Sequence, residues 1–248
     1  MRQLFFLTLG AIAMWSSSLA HAYVASPWSL KGEGYVFVLS ASDEQNEIDA
    51  NIPKELKDKD PKGLNLLMFV RYSESPVGPY NELLYIPGKL SFPNGNTDLS
   101  ITRIYVDSEE SLIGGQNNWG IPKEMADFAI EGSKVAVSVL GEEAASFEVK
   151  AFGPSFPLST GLIPENFRTL TQLRENKLFT FALSGKGKAN FASLKPISGN
   201  GNLFPDLSKR RVIAGFHIED FSLTFPVADI QDYLDMATIG HNPLIGPG

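Results

Sequence analysis

One lysine, Lys123, directly follows Pro122 and stands among Trp119, Ile121, Met125 and Phe128. Apolar neighbours that take an amine out of water disfavour its ammonium form and lower its pKa. The neutral amine is then a nucleophile toward a carbonyl carbon. The chemistry this suggests is imine formation, with the protonated imine drawing electrons from an adjacent bond. It needs a carbonyl substrate and side chains that supply and remove protons. A solvated lysine at the start of a helix, just after a proline, fits the same residues, because most lysines lie at the surface.

The segment before the lysine has to position it. Ile104, Tyr105 and Val106 form a β-branched and aromatic run that ends in Asp107 and Ser108. A short polar segment closed by Gly114-Gly115 follows, and then Trp119-Gly120-Ile121-Pro122-Lys123. The acidic run Asp107-Ser108-Glu109-Glu110 reads as a solvated turn rather than a cation site. Other chemistry is poorly supplied. Downstream of residue 22 the histidines are His217 and His241, too few for a histidine metal site or a Ser-His-Asp triad, so no metal is expected. Gly185-Lys186-Gly187-Lys188 lacks the third glycine and the following helix of a phosphate-binding loop, and reads as turn or strand.

The block around Lys123 resembles the active-site region of the acetoacetate decarboxylase family, in which a lysine after a proline forms a Schiff base with a keto acid. A second block, Arg71 to Gly88, resembles the same family. There Gly78-Pro79-Tyr80-Asn81-Glu82 matches its Gly-x-Tyr-x-Glu element. The two blocks lie in the family's order, and weaker similarity runs from about Gly32 to Leu234. The resemblance implies that Lys123 is the imine-forming amine and Glu82 the acid–base or substrate-orienting carboxylate. It implies Tyr80, Gln116 and Trp119 as substrate-binding positions. A carboxyl in an apolar cavity has a raised pKa, which suits proton transfer. A strand carboxylate facing solvent is the plainer reading of Glu82. The iminium is itself the electron sink, so no cofactor is expected.

Two departures from the family pattern bear on the substrate. Founding members have two lysines after the proline, and the second cation helps to depress the pKa of the first. Here Glu124 occupies that place, and its charge would favour the ammonium if the two side chains met. The family's decarboxylases also carry an arginine just before the first strand. The matching stretch, Lys31-Gly32-Glu33-Gly34-Tyr35, has none, and Gln116 stands where many relatives have an arginine. A pocket short of cations suits a small free carboxylate poorly.

Residues 1–22 have the form of a signal peptide: Arg2, an apolar run from Leu4 to Trp15, and Ala20-His21-Ala22 as the cleavage pattern. An exported protein, periplasmic or secreted, is expected, with a retained N-terminal anchor as the alternative. The run is too short for a comfortable span of about 20 residues, so stable membrane insertion is not expected. Residues 23–248 then form a single domain. Removing Arg2 takes the formal charge from −7 to −8, which argues against nucleic acid and anionic membranes as partners. Without cysteine, an exported chain must be stable without disulfides and has no thiolate chemistry.

From Trp28 onward, turn signals alternate with short apolar runs, the pattern of a β-rich domain. Strands are expected at Gly34–Leu39, Leu64–Tyr72, Asn81–Pro87, Ser100–Val106, Ala126–Glu131, Lys134–Leu140, Glu143–Phe152, Leu178–Lys188 and Val212–Phe225. Their short Gly- and Asn-bearing connections predict antiparallel pairing. Helix is expected at Asn51–Lys57, in a turn at Lys123–Ala126, and at Val227–Met236. Gly153 to Pro157 and Ser198 to Asn202 read as irregular connections, Asn46–Lys62 as a charged loop, and the tail from His241 as loose. In Val212–Phe225 the apolar parity changes after Ile218, so a bulge near Glu219-Asp220 is expected. The resemblance sharpens this α+β, β-rich reading into an antiparallel closed β-cone or barrel with flanking short helices, and implies possible homo-oligomers.

Two functions from different classes fit. One is an acetoacetate decarboxylase-like lyase acting on a keto acid or related carbonyl compound, with aldolase or dehydratase chemistry open on the same imine. The other is a non-catalytic barrel that binds a small apolar ligand.

Overall fold

The computed structural model describes residues 23–41, 52–56, 61–208 and 210–233. The segment expected as a signal peptide, most of the Asn46–Lys62 stretch expected as a charged loop and the tail from His241 lie outside the described residues. Two sheets account for nearly all the regular structure. The larger contains β1 (Trp28–Leu39), β2 (Asn65–Glu74), β3 (Tyr80–Ile86), β6 (Arg103–Val106), β7 (Lys123–Met125), β8 (Asp127–Glu131), β9 (Lys134–Val139), β10 (Glu142–Ser159), β13 (Ser184–Gly199) and β14 (Val212–Phe225). Its order is β7-β6-β3-β2-β1-β14-β13-β10-β9-β8. The edge strands β7 and β8 are separated in sequence only by Ala126, so the sheet curls into a nearly closed barrel. The smaller sheet contains β4 (Lys89–Ser91), β5 (Thr97–Leu99), β11 (Thr169–Arg174), β12 (Lys177–Ala182) and β15 (Asp229–Asp232), in the order β15-β12-β11-β5-β4.

The larger sheet is buried on both faces where it matters. Along β1, β2 and β3 the odd-numbered side chains Phe37, Leu67, Phe69, Leu83 and Tyr85 enter one core, which Val135, Val137 and Phe147 of β9 and β10 close. The even-numbered Leu30, Val70, Leu84 and Ile86 enter a second core, under Leu170, Phe179 and Phe181 of the smaller sheet. A strand buried on both faces reads as a continuous apolar run rather than as alternation, which is the look of Leu66-Leu67-Met68-Phe69-Val70.

The expected strands are present, with Val212–Phe225 matched at both ends. So is the bulge. Gly32 pairs with Phe221 and Gly34 with Ile218, so Glu219 and Asp220 together face Glu33 alone, and Asp220 takes φ 46°. The extra residue places Phe216 and Ile218 on the same side as Phe221, Leu223 and Phe225.

Several expectations are corrected. Leu178–Lys188 divides into β12 and β13, and Gly153–Pro157 lies within β10 as a register shift between Phe152 and Phe156. Two strand pairs are parallel, β6 with β7 and β11 with β5. The turn at Lys123–Ala126 is strand β7, because pairing with β6 overrides the local pattern. Val227–Met236 holds β15, which pairs with β12. Of Asn51–Lys57, the described part is one 3-10 turn, Lys54–Leu56.

An α-helix not foreseen from the sequence, α1 (Glu109–Trp119), joins β6 to β7. Ser108 caps it by accepting a hydrogen bond from Ser111 N–H at 3.1 Å, and Glu109 and Glu110 complement its dipole. It ends at Gly120 in the left-handed conformation, φ 64°, whose N–H donates to Gln116 C=O. The run expected as a solvated acidic turn is therefore a helix start, and Asp107 is tied to the backbone N–H and side chain of Asn81. Among the described residues, no helix is long and apolar enough to cross a membrane.

Candidate active site

Lys123 opens β7 opposite Ile104 of β6, and Glu82 of β3 lies opposite Val106 of the same strand. These pairings put both ionisable side chains on one face of the sheet, on the two strands that flank β6. Lys123 Nζ lies 2.8 Å from Glu82 Oε2, with the two side chains 5 % and 3 % exposed. The ammonium also donates to Ser111 Oγ on α1 at 2.9 Å, and lies 5.1 Å from the centre of the Tyr80 ring. Tyr72 donates its hydroxyl proton to the other oxygen, Glu82 Oε1, at 3.1 Å. Each charge at this buried pair thus has a partner, as burial demands.

The stem of the lysine crosses the helix at Gly115, where an added Cβ would fall 2.6 Å from Lys123 Cδ. At Gly114 the added Cβ would fall 2.3 Å from Trp28 Cη2. The paired glycines make room for a lysine on one side and an indole on the other.

Glu124 does not meet Lys123. Strand alternation turns it outward, half-exposed, to Arg103 NH1 at 3.3 Å. The acidic neighbour of the amine is Glu82, forty-one positions earlier in the chain. Gln116 donates to the backbone carbonyl of Lys123 at 2.9 Å and accepts from Arg174 at 3.1 Å, so it holds the lysine's backbone. Trp119 is 2 % exposed, stacks edge-on with Trp28 at 5.1 Å and donates to Pro226 C=O. It does not line the cavity described below, and its place is in the core. Tyr80 packs on Tyr72 with ring centroids 4.5 Å apart. Sequence reasoning missed Ser111 and Tyr72. Ser111 is fully buried and spaced twelve residues from Lys123, a distance that only the helix makes short.

Burial, and then the Glu82 charge, push the Tyr72 phenol well above its usual range and push Tyr80 the same way. Both hydroxyls are therefore protonated at neutral pH, and Tyr72 donates to the carboxylate.

Between the two sheets lies a cavity of about 540 Å³. Its wall is mostly aliphatic and aromatic, with residues such as Val36, Met68, Leu84, Ile104, Leu170 and Phe225. Glu82 and Tyr72 enter that wall, while Lys123 lies behind Glu82. On the other side of Tyr72 and Phe221 is an open polar cleft of about 970 Å³, lined by Lys31, Glu33, Arg71, Tyr80 and His217. The arrangement offers a buried amine beside a carboxylate, with that carboxylate and the Tyr72 phenol at the boundary of an apolar cavity and the Tyr80 phenol at the polar cleft.

Comparison with known structures supports the fold. Acetoacetate decarboxylase from Legionella pneumophila superposes with a TM-score of 0.59 at 16% identity, covering 91% of this chain and 99% of that one. The enduracididine biosynthesis enzyme MppR complexed with pyruvate gives 0.61 at 14% identity, covering 88% and 96%. An acetoacetate decarboxylase-like enzyme from Sphingomonas wittichii gives 0.58 at 13% identity, covering 85% and 95%. No curated protein sequence matches the chain. The family profile described as acetoacetate decarboxylase (ADC) matches residues 19–165, more than half of the sequence. With its barrel and its paired sequence blocks, the chain belongs to the acetoacetate decarboxylase family.

Proposed function

We propose that this protein is an exported enzyme that acts on a keto acid or related carbonyl compound through an imine at Lys123. The observation that carries the reading is the 2.8 Å contact between the buried Lys123 Nζ and Glu82 Oε2 at the edge of an apolar cavity. Passing one proton from the ammonium to Glu82 removes two buried charges at once and leaves a neutral amine beside a neutral acid. The amine attacks the carbonyl carbon, forming the C–N bond as the C=O electrons move to oxygen. Glu82 protonates that oxygen, and loss of water gives the iminium. In a β-keto acid the C–C bond to the carboxylate then breaks. Its electrons enter the iminium to form an enamine, and CO₂ departs. Protonation at carbon and addition of water release the ketone and restore the lysine. Aldol or dehydration chemistry would use the same iminium.

A second reading, a non-catalytic binding barrel, is favoured by one observation: Glu82 and Ser111 both engage the amine, and Glu82 stands between it and the cavity. Borohydride reduction in the presence of acetoacetate and longer keto acids separates the two. An adduct located on Lys123 by peptide mass, lost in Lys123→Ala and accompanied by CO₂ release, supports the enzyme. Labelling of surface lysines as readily as Lys123 supports the binding barrel.

A further inference from the structure

The cavity is far larger than a four-carbon acid needs. At about 30 Å³ per water-sized group, 540 Å³ accommodates about 18 such groups. It also reaches a long way from the carboxylate. Glu82 is on β3, and Gly185 and Lys186, at the opposite wall, are on β13, four strands away in the sheet order. At about 4.8 Å per strand this is about 19 Å along the curved sheet, whereas a four-carbon backbone spans about 4 Å.

The two ends of the cavity differ in character. Tyr72 and Phe221, with ring centroids 5.8 Å apart, line both the cavity and the polar cleft, so the Glu82 end adjoins polar surroundings. Toward β13 the lining residues include Ile163 and Phe167, which are 38 % and 60 % exposed. They belong to a segment of two 3-10 turns, Thr160–Leu162 and Glu165–Phe167, that also exposes Leu162. An apolar channel whose rim combines these exposed apolar side chains with Arg168 and Lys186 is suited to a chain that enters it lengthwise.

We propose that the carbonyl compound taken by this site carries an apolar tail of roughly six to ten carbons, held in the cavity between Glu82 and the Ile163–Phe167 rim. Its reacting carbonyl faces Glu82 and Lys123, and for that end the proposal rests on the imine reading above.

The test uses two homologous series on the full-length mature protein. Primary alcohols from butanol to decanol, which cannot form an imine, are titrated calorimetrically. β-Keto acids from acetoacetate to the thirteen-carbon homologue are assayed for borohydride trapping at Lys123. Binding and half-saturation of trapping should both improve about fourfold per methylene, equivalent to about 0.8 kcal/mol, until the cavity is full. Val36→Phe, which adds bulk to the wall, should shorten the best chain in both series. Trapping at Lys123 with no dependence on chain length overturns the tail and leaves the imine reading intact. Chain-length-dependent alcohol binding with no trapping at Lys123 supports the tail and overturns the imine. Absence of alcohol binding together with absence of trapping at Lys123 overturns both. If Val36→Phe fails to fold, the two wild-type series still decide.

Discussion

At residue 115 an added methyl group would fall 2.6 Å from Cδ of Lys123, so the glycine is the surface over which the lysine reaches Glu82. At its neighbour Gly114 the added methyl would instead fall 2.3 Å from Trp28 Cη2. The two positions separate function from stability. Gly115→Ala gains helix propensity worth about 1 kcal/mol and pushes the lysine stem aside. Imine trapping should fall at least about tenfold with the urea midpoint little changed. Gly114→Ala meets a rigid indole, and should lose about 1–3 kcal/mol of stability while folded protein still traps at Lys123.

Glu82→Gln removes the carboxylate from a pair in which both side chains are at least 95 % buried. Breaking one partner of a buried pair costs about 3–5 kcal/mol, and loss of the proton-transfer group lowers the rate about a hundredfold or more. Denaturant unfolding and turnover should both register the change. Glu124→Gln breaks only an exposed pair with Arg103 and should shift stability by about 0–1 kcal/mol without altering trapping.

Trp119→Phe keeps an aromatic ring against Trp28 and Phe225 but deprives Pro226 C=O of its donor. The expected cost is about 1–3 kcal/mol, read as a lower urea midpoint. The chain-length preference for keto acids should not move, because this ring is not in the cavity wall.

The stability of the fold should decline in alkali. Burial holds Tyr72 well above the usual phenol range and pushes Tyr105 up to about 12, opposed in part by Arg103. A folded-state pKa above the unfolded value near 10 contributes stability that is complete below about pH 10. That stability is lost as pH rises toward the folded value. Urea midpoints should therefore be lower at about pH 11 than at about pH 9. In Tyr105→Phe the drop should be smaller, even though the variant starts lower for want of the bond to Leu203 C=O.

The sequence by itself determined the β-rich class, both ends of β14 and the bulge at Glu219-Asp220, because alternation and turn chemistry are local, whereas the lengths of β1, β10 and β13 depended on pairing with neighbouring strands. It also singled out Lys123 and Glu82, since both sit in recognisable blocks. Helix α1 escaped notice because Gly114, Gly115, Asn117 and Asn118 are weak helix formers, and the two glycines are there for the close approach of Trp28 and Lys123. Ser108 and Gly120 bound the helix, but no apolar periodicity runs between them. β7 escaped too, as a three-residue strand made only by pairing with β6. Which acid the lysine meets was a tertiary matter. Glu124 is its neighbour in sequence but alternates to the opposite face, while β3 and β6 bring Glu82 to 2.8 Å. Trp119 likewise looked like pocket and proved to be core, because an apolar ring has no local mark of which side of a wall it will fill.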